Sequence, residues 1–205
     1  MALALVSDVA SWIGKDIDAA RQGELTSCIA AAQSWIASQA GLRSLEKETT
    51  AVTAYIDGKD ANGEELWLPS EIRPVWHTGS DLMTVVESGT ALTPLAIGYS
   101  STASVVLRGV NSFDRVCLYR VGGWIWNRFT PQNIAVACKV GWHADTGALI
   151  VPADVKRLVV EVAWLQFNSF NWVGRQNVSK AGTAITIEND LSPFARAVLD
   201  NLRGV

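Results

Sequence analysis

The chain has 205 residues, 49% of them hydrophobic and 18% charged, with a net charge of −3. That balance belongs to a folded protein rather than a disordered one. Without a basic block it offers no electrostatic grip on nucleic acid phosphates, and without a long uncharged apolar run it offers no membrane span.

The opening "MALALVSDVASWIG" lacks the basic n-region of a secretion signal, so synthesis in a cytoplasm is expected. Ser7 is the predicted N-cap of a short helix that Gly14 ends. "GELTSCIAAAQSWIASQAGL" follows, where Leu25, Cys28, Ile29, Ala32, Trp35 and Ile36 recur at helical spacing. Its other face holds Thr26, Ser27, Ala30, Ala31, Gln33, Ser34, Ala37 and Ser38. Such small residues admit another backbone closely, or simply make a low-charge surface.

From about residue 49 to 142 the period changes to two. "TAVTAYIDG", "ELWLP", "DLMTVVESG", "SVVLRGV", "RVCLYRVGGWIWNRF" and "NIAVACKVGW" read as strands, with Gly122-Gly123 as a tight hairpin turn. "VPADVKRLVVEVAWLQFNSFNW" then reads as a helix over 152–171. Asp154, Arg157, Glu161 and Asn168 share a wedge of about 60°, and nearly everything else is apolar. That surface is wider than the single stripe of a surface helix, so it calls for cover beyond one core, from another copy or else from the chain's own β region. "VGRQNVSKAGTAITIEND" is polar, and its "TAITIE" could form an extended arm. Ser192, Pro193 and Gly204 bound a closing helix.

The expected fold is therefore α+β: a helical core from the N- and C-terminal helices with an inserted antiparallel β region, a small sandwich or barrel. The expected segments are helices over 1–48, β structure over 49–142, and helices over 143–205 with a connecting arm at 173–191.

Chemistry-bearing patterns are sparse. His143 and Asp145 in "WHAD" are at most a fragment of a hydrolytic site. "CKVGWH" lacks the second pair a zinc tetrahedron needs. Cys28, Cys117 and Cys138 lie in apolar surroundings and read as buried thiols. No catalytic, metal or cofactor site is expected, and no enzyme activity.

The order of these elements resembles the head–tail connector, or adaptor, proteins of tailed bacteriophages. The likeness covers roughly residues 3–75 and 134–203. It rests on "AAAQSWIASQAG", "LWLPSEIRPV", "VPADVKRLVVEVAW" and "SPFARAVLDNLRG". The resemblance implies a virion structural protein of the neck. It implies a homo-oligomeric ring, commonly a dodecamer, that sits beneath the portal protein. Such a ring extends the DNA channel without sequence-specific binding and docks tail or neck proteins. By carry-over, Phe194, Val198, Leu199 and Leu202 on the closing helix are portal-facing candidates, or else pack on their own subunit. Trp164, Phe167, Phe170, Ala30 and Ala37 are candidate subunit-interface residues, with burial in the subunit's own core as the alternative. Residues 76–133 exceed the short family pattern, so no role carries over to them. A second reading is a carbohydrate-binding module with Trp76, Trp124, Trp126 and Trp142 as stacking platforms.

Overall fold

The computed structural model describes residues 2–95, 104–110, 115–144, 149–173 and 190–204, with side chains in the fourth stretch as far as Asn168. The chain divides into two compact units, one from residues 1–41 and 151–205 and the other from residues 42–150. The fold is α+β, with helices from both ends of the chain and a sheet between them in sequence.

The helical unit contains α1 (Val6–Ile13), α2 (Gln22–Gln39), α3 (Ala153–Val173) and α4 (Pro193–Arg203). Helix α1 begins earlier than its serine implied: Leu5 is the N-cap, and the Asp8 carboxylate accepts the Leu5 N–H at 2.7 Å. Gly14 ends it in the left-handed conformation, as expected. The expected stripe of α2 is buried except for Trp35, which is half-buried. Gln33, read as part of the small polar face, is also buried, because its Oε1 accepts the Leu3 N–H at 2.7 Å and ties down the start of the chain.

Helix α3 is the centre of this unit. α1, α2 and α4 all pack on it, and Leu158 to Ala163 are buried at six consecutive positions. Over residues 158–163 and at Phe167 the cover comes from the same copy, contrary to the expectation of cover from another, while Trp164 and Leu165 stay half-buried and the side chains beyond Asn168 lie outside the described residues. A helix at the centre of a unit, contacted by three others, is covered on several faces instead of along one stripe. Glu161, assigned above to a polar wedge, is buried too. Its carboxylate accepts the Ser192 N–H at 2.6 Å and the Ser192 hydroxyl at 2.9 Å. The same hydroxyl oxygen caps α4 by accepting the Ala195 N–H at 3.2 Å. At the other end of α4, Arg203 donates to the Gln39 carbonyl at 3.1 Å and to its side-chain Oε1 at 2.9 Å.

The second unit is a curled half-barrel of seven strands. They are β1 (Val52–Ile56), β2 (Glu65–Trp67), β3 (Thr84–Glu87), β4 (Thr90–Leu95), β5 (Ser104–Arg108), β6 (Cys117–Arg120) and β7 (Ile134–Cys138). Their order is β1-β7-β3-β4-β5-β6-β2. All pairs are antiparallel except β4 with β5, so the sheet is mixed. Strand β4 is not among the strands read from the sequence, and it contains Pro94. Its first half pairs with β3 and its second half, with Pro94, passes to β5. A proline cannot donate to a ladder and is tolerated where pairing is changing hands.

The tight hairpin is at Ser88-Gly89, joining β3 to β4, where both residues take positive φ (49° and 82°). It is not at Gly122-Gly123. Strand β6 already has β5 on one side and β2 on the other, so the chain leaves the sheet after it. The Trp126 side chain then drops fully into the core, with its indole N–H on the Glu64 carbonyl at 2.9 Å.

An ion cluster clips residues 76–83 to the rest of this unit. Asp81 accepts from Lys139 at 2.7 Å and from Lys47, and the Lys47 ammonium lies 3.7 Å above the Trp76 ring centroid. The hydrogen bond from Lys139, and next that from Lys47, hold the Asp81 carboxyl below the ordinary carboxylate range. A depressed folded-state pKa gives stability that is complete above the unfolded value, about pH 4, and disappears as pH falls through the lower folded value. The denaturation midpoint is therefore expected to fall below about pH 4, and Asp81→Asn to flatten that limb of the profile. An unchanged acid limb in the variant would show that Asp81 is not a source of it.

Candidate assembly surfaces

Among the described residues, no group of three or more His, Cys, Asp or Glu side chains is placed to hold a metal ion. The imidazole Nδ1 of His77 accepts the Met83 N–H at 3.1 Å, and burial lowers its pKa. His143 is half-buried, and its backbone N–H meets the Leu149 carbonyl at 2.8 Å. Asp145 lies outside the described residues. The three cysteines are buried thiols, and burial followed by the charge of Glu48 pushes Cys138 up to about 12. No described helix is long and apolar enough to cross a membrane.

Three of the four tryptophans considered as sugar platforms, Trp76, Trp126 and Trp142, are core residues, and only Trp124 is exposed. Trp124 and Trp126 lie in a stretch that read as part of a strand but is not one, so they share no strand face.

The candidate interface residues separate by burial. Phe167 is 3% exposed, with the Arg21 guanidinium 4.1 Å from its ring centroid. Ala37 is buried as well. Both are enclosed within a single copy, which removes them as open contact points. Trp164 is half-buried, tilted against Phe167 at a centroid distance of 5.8 Å. Ala30 is exposed. The side chain of Phe170 lies outside the described residues.

Ala30 belongs to a long exposed face. Thr26, Ser27, Ala31, Ser34 and Ser38 accompany it, and none is charged. The hydroxyls of Thr26, Ser27 and Ser34 donate to carbonyls one turn back, on Gln22, Gly23 and Ala30, at 2.8, 3.1 and 3.2 Å. Three of the four hydroxyl donors of this face are thus satisfied by their own helix. What remains outward is small and uncharged, so another surface can approach Thr26, Ser27 and Ser34 without stranding their donors. Beside the N-terminus of α2, an open groove of about 720 Å³ runs along α1 and the turn after it, lined by Val6, Ala10, Ser11, Lys15, Ile17 and Gln22.

The four residues carried over to the portal also separate. Val198, Leu199 and Leu202 are buried, and together with the bonds to Glu161 and Gln39 they seat α4 on its own unit. Phe194 is 41% exposed, with the Arg157 guanidinium 4.3 Å from its centroid.

A second exposed apolar surface was read in the sequence only at Trp124, and there as a sugar platform. Trp124, Ile125 and Phe129 stand out of the stretch 121–133, and Phe129 is 96% exposed. The stretch is pinned from below. The Asn127 N–H donates to Glu87 at 2.7 Å, the Asn133 amide to the Asn127 carbonyl at 2.9 Å, and Arg128 to the Ala61 carbonyl at 2.8 Å. Aromatic side chains on a backbone already held in place lose little freedom on contact, which favours binding. The signal in the sequence was a density of large apolar residues too high for a two-residue turn and its strand, but it was absorbed by the hairpin reading.

No family model matches the sequence, and no curated protein does. The fold does have solved counterparts. One is a chain in the neck of an empty gene transfer agent particle, computed with C6 symmetry: 17% identical, covering 98% of this chain and 88% of that one, with a TM-score of 0.52. Another is a chain in the virion of a native gene transfer agent particle: 17% identical, covering 98% of this chain and 89% of that one, with a TM-score of 0.53. At this identity the likeness is one of fold, and it extends over both units, including the β region that exceeds the short connector pattern.

Proposed function

We propose that this chain is a virion structural protein of the neck of a tailed, phage-like particle. In this reading it is a head–tail connector whose copies form a ring beneath the portal, extend the DNA channel and dock the tail. The observation that carries the reading is the likeness of fold, along nearly the whole chain, to chains of gene transfer agent neck and virion. Two surfaces support it. The uncharged small-residue face of α2 suits a neighbouring copy, and the pinned aromatics at 124–129 suit a protein partner. Mild net acidity is compatible with DNA sliding past, since a strongly basic lining would hold phosphates.

Of the carried-over residues, Phe194 is the one on α4 that a portal can reach as the chain is folded. Val198, Leu199 and Leu202 would reach it only if α4 left Glu161 and Gln39. For a contact between copies, Ala30 and Trp164 remain. A ring of twelve is compatible with the sixfold symmetry of the similar neck. Nothing in the geometry favours the carbohydrate reading, with three of its four tryptophans in the core.

The test is electron microscopy of the full-length chain, alone and with assembled portal protein of the same particle. Closed rings that cap the portal are expected. A protein that stays monomeric at micromolar concentration and binds no portal would refute the proposal.

A further inference from the structure

The sheet has two margins, β2 and β1. Such margins are normally guarded by charge, proline, a bulge or a covering segment. Strand β2 is guarded. Glu65 is charged, and its N–H and carbonyl are both taken by Asn62, at 3.2 and 2.8 Å. Strand β1 is not guarded in any of these ways. Val52–Ile56 has no charge and no proline, and its register with β7 runs without a bulge from Val52↔Cys138 to Ile56↔Ile134.

The ladders show which backbone groups of β1 are open. The Ser88 N–H bonds the Asn133 carbonyl at 2.7 Å, so Asn133, Ala135 and Ala137 turn their backbone groups toward β3. By alternation Ile134, Val136 and Cys138 turn theirs toward β1, where they face Ile56, Ala54 and Val52. Thr53 and Tyr55 therefore aim their N–H and carbonyl groups out of the sheet, and no described residue meets them. Both side chains are exposed, Tyr55 by 65%, while Val52 and Ala54 pack on the core yet remain half-buried. The margin thus has four open hydrogen-bonding groups and an apolar face that is only partly covered. One more strand would complete both.

The "TAITIE" run of the expected arm lies outside the described residues. Among the described strands, β1 of a second copy matches this margin. Set antiparallel about a two-fold axis at Ala54, Thr53 of each copy faces Tyr55 of the other, and their open groups make four backbone hydrogen bonds. On the outer face these are pairs of a β-branched with an aromatic side chain. On the core face Val52 meets Ile56, and Ala54 meets its own equivalent. A self-paired strand sets its residues against its own sequence, so a charged edge would repel its copy, but all five residues here are neutral. We propose that two copies of the chain associate through their β1 edges, joining two half-barrels into one continuous sheet. Copies related by this axis face opposite ways, whereas copies in a ring around one axis all face the same way. In the connector reading the pair is therefore a form of the chain off the ring, which covers an edge prone to aggregation until assembly. The pairing itself does not depend on that reading.

The experiment uses full-length chain, followed by sedimentation and amide exchange from low to high micromolar concentration. A reversible monomer–dimer equilibrium is expected. In the dimer the Thr53 and Tyr55 amides are expected to exchange roughly ten-fold or more slowly, while Ala54, already turned toward β7, is unchanged. Thr53→Lys with Tyr55→Lys sets like charges opposite one another in the pair and is expected to give a folded monomer, since both side chains are exposed. Mixing that variant with a chain carrying Thr53→Glu and Tyr55→Glu is expected to restore a mixed dimer. A dimer that persists in the double-lysine variant overturns the proposal. So does protection of Thr53 and Tyr55 that appears only when portal or tail protein is added. Rings on the portal from a chain that never pairs overturn this proposal and leave the connector reading standing. Paired chains that never cap a portal do the reverse.

Discussion

Replacing Gly141 by alanine is expected to cost the β unit about 3 kcal/mol or more, one of the two largest effects foreseen for a single substitution in this chain. Gly141 sits at φ +95°, and a Cβ there would lie 2.2 Å from the Glu46 carbonyl oxygen. The obstruction is backbone, so no side chain can swing away. Residues on both sides are committed. The Trp142 N–H bonds the Leu45 carbonyl at 2.7 Å, the Lys47 N–H bonds the Trp142 carbonyl at 2.8 Å, and the Trp76 indole bonds the Gly141 carbonyl at 2.6 Å. Making room would separate these segments. Gly14 is the control: it also has positive φ, +67°, but open space around it. Gly14→Ala should cost only the conformational penalty, about 1–2 kcal/mol. Denaturant titration of the two variants decides the matter, and equal losses would show that the close approach at Gly141 is not a constraint.

The second large effect is expected at Glu87. Its carboxylate lies 3.4 Å from Arg120 Nη2, with both side chains about nine-tenths buried. Arg120 Nε and Nη1 have no hydrogen-bond partner among the described residues, and the guanidinium lies 5.5 Å from the Trp126 ring centroid. Glu87 is therefore the counter-charge on which this buried cation depends. Glu87→Ala leaves it uncompensated, at an expected cost of about 3–5 kcal/mol. The double change Glu87→Leu with Arg120→Leu removes both charges and should be the more stable of the two variants. Recovery stays partial, because the Asn127 N–H that Glu87 also holds is lost in both. Chemical denaturation of the single and double variants measures this directly. A double variant weaker than the single one would mean the pair is net stabilising rather than a cation awaiting its partner.

The helices were legible because each carries its own local record. Period 3.6 in α2 and α3, Ser192 and Pro193 at the start of α4, and Gly14 after α1 act within a few residues of themselves. Strands β1, β2, β3, β5, β6 and β7 were legible for the same reason, through alternation. Their partners were not. Ser88-Gly89 and Gly122-Gly123 are similar turn signals, and all four residues take positive φ. Only the first closes a hairpin, because β3 had a free side for β4 while β6 was already paired on both. That difference is set by contacts far apart in the chain, which no local pattern records.

The candidate surfaces divide along the same line. The sequence by itself determined that α3 is apolar nearly all round, that α2 has a small uncharged face, and that chemistry-bearing clusters are sparse. Only the tertiary structure decided what covers these surfaces. It buries Phe167, Val198, Leu199 and Leu202 within one copy and sends Glu161 inward to hold the cap of α4. It leaves Ala30, Phe194 and the tip at Trp124, Ile125 and Phe129 in contact with water. The physical reason is that hydrophobicity is a property of a side chain, whereas burial is a property of its neighbours. The pattern of residues shows which surfaces must avoid water, and packing alone shows which of them have already done so.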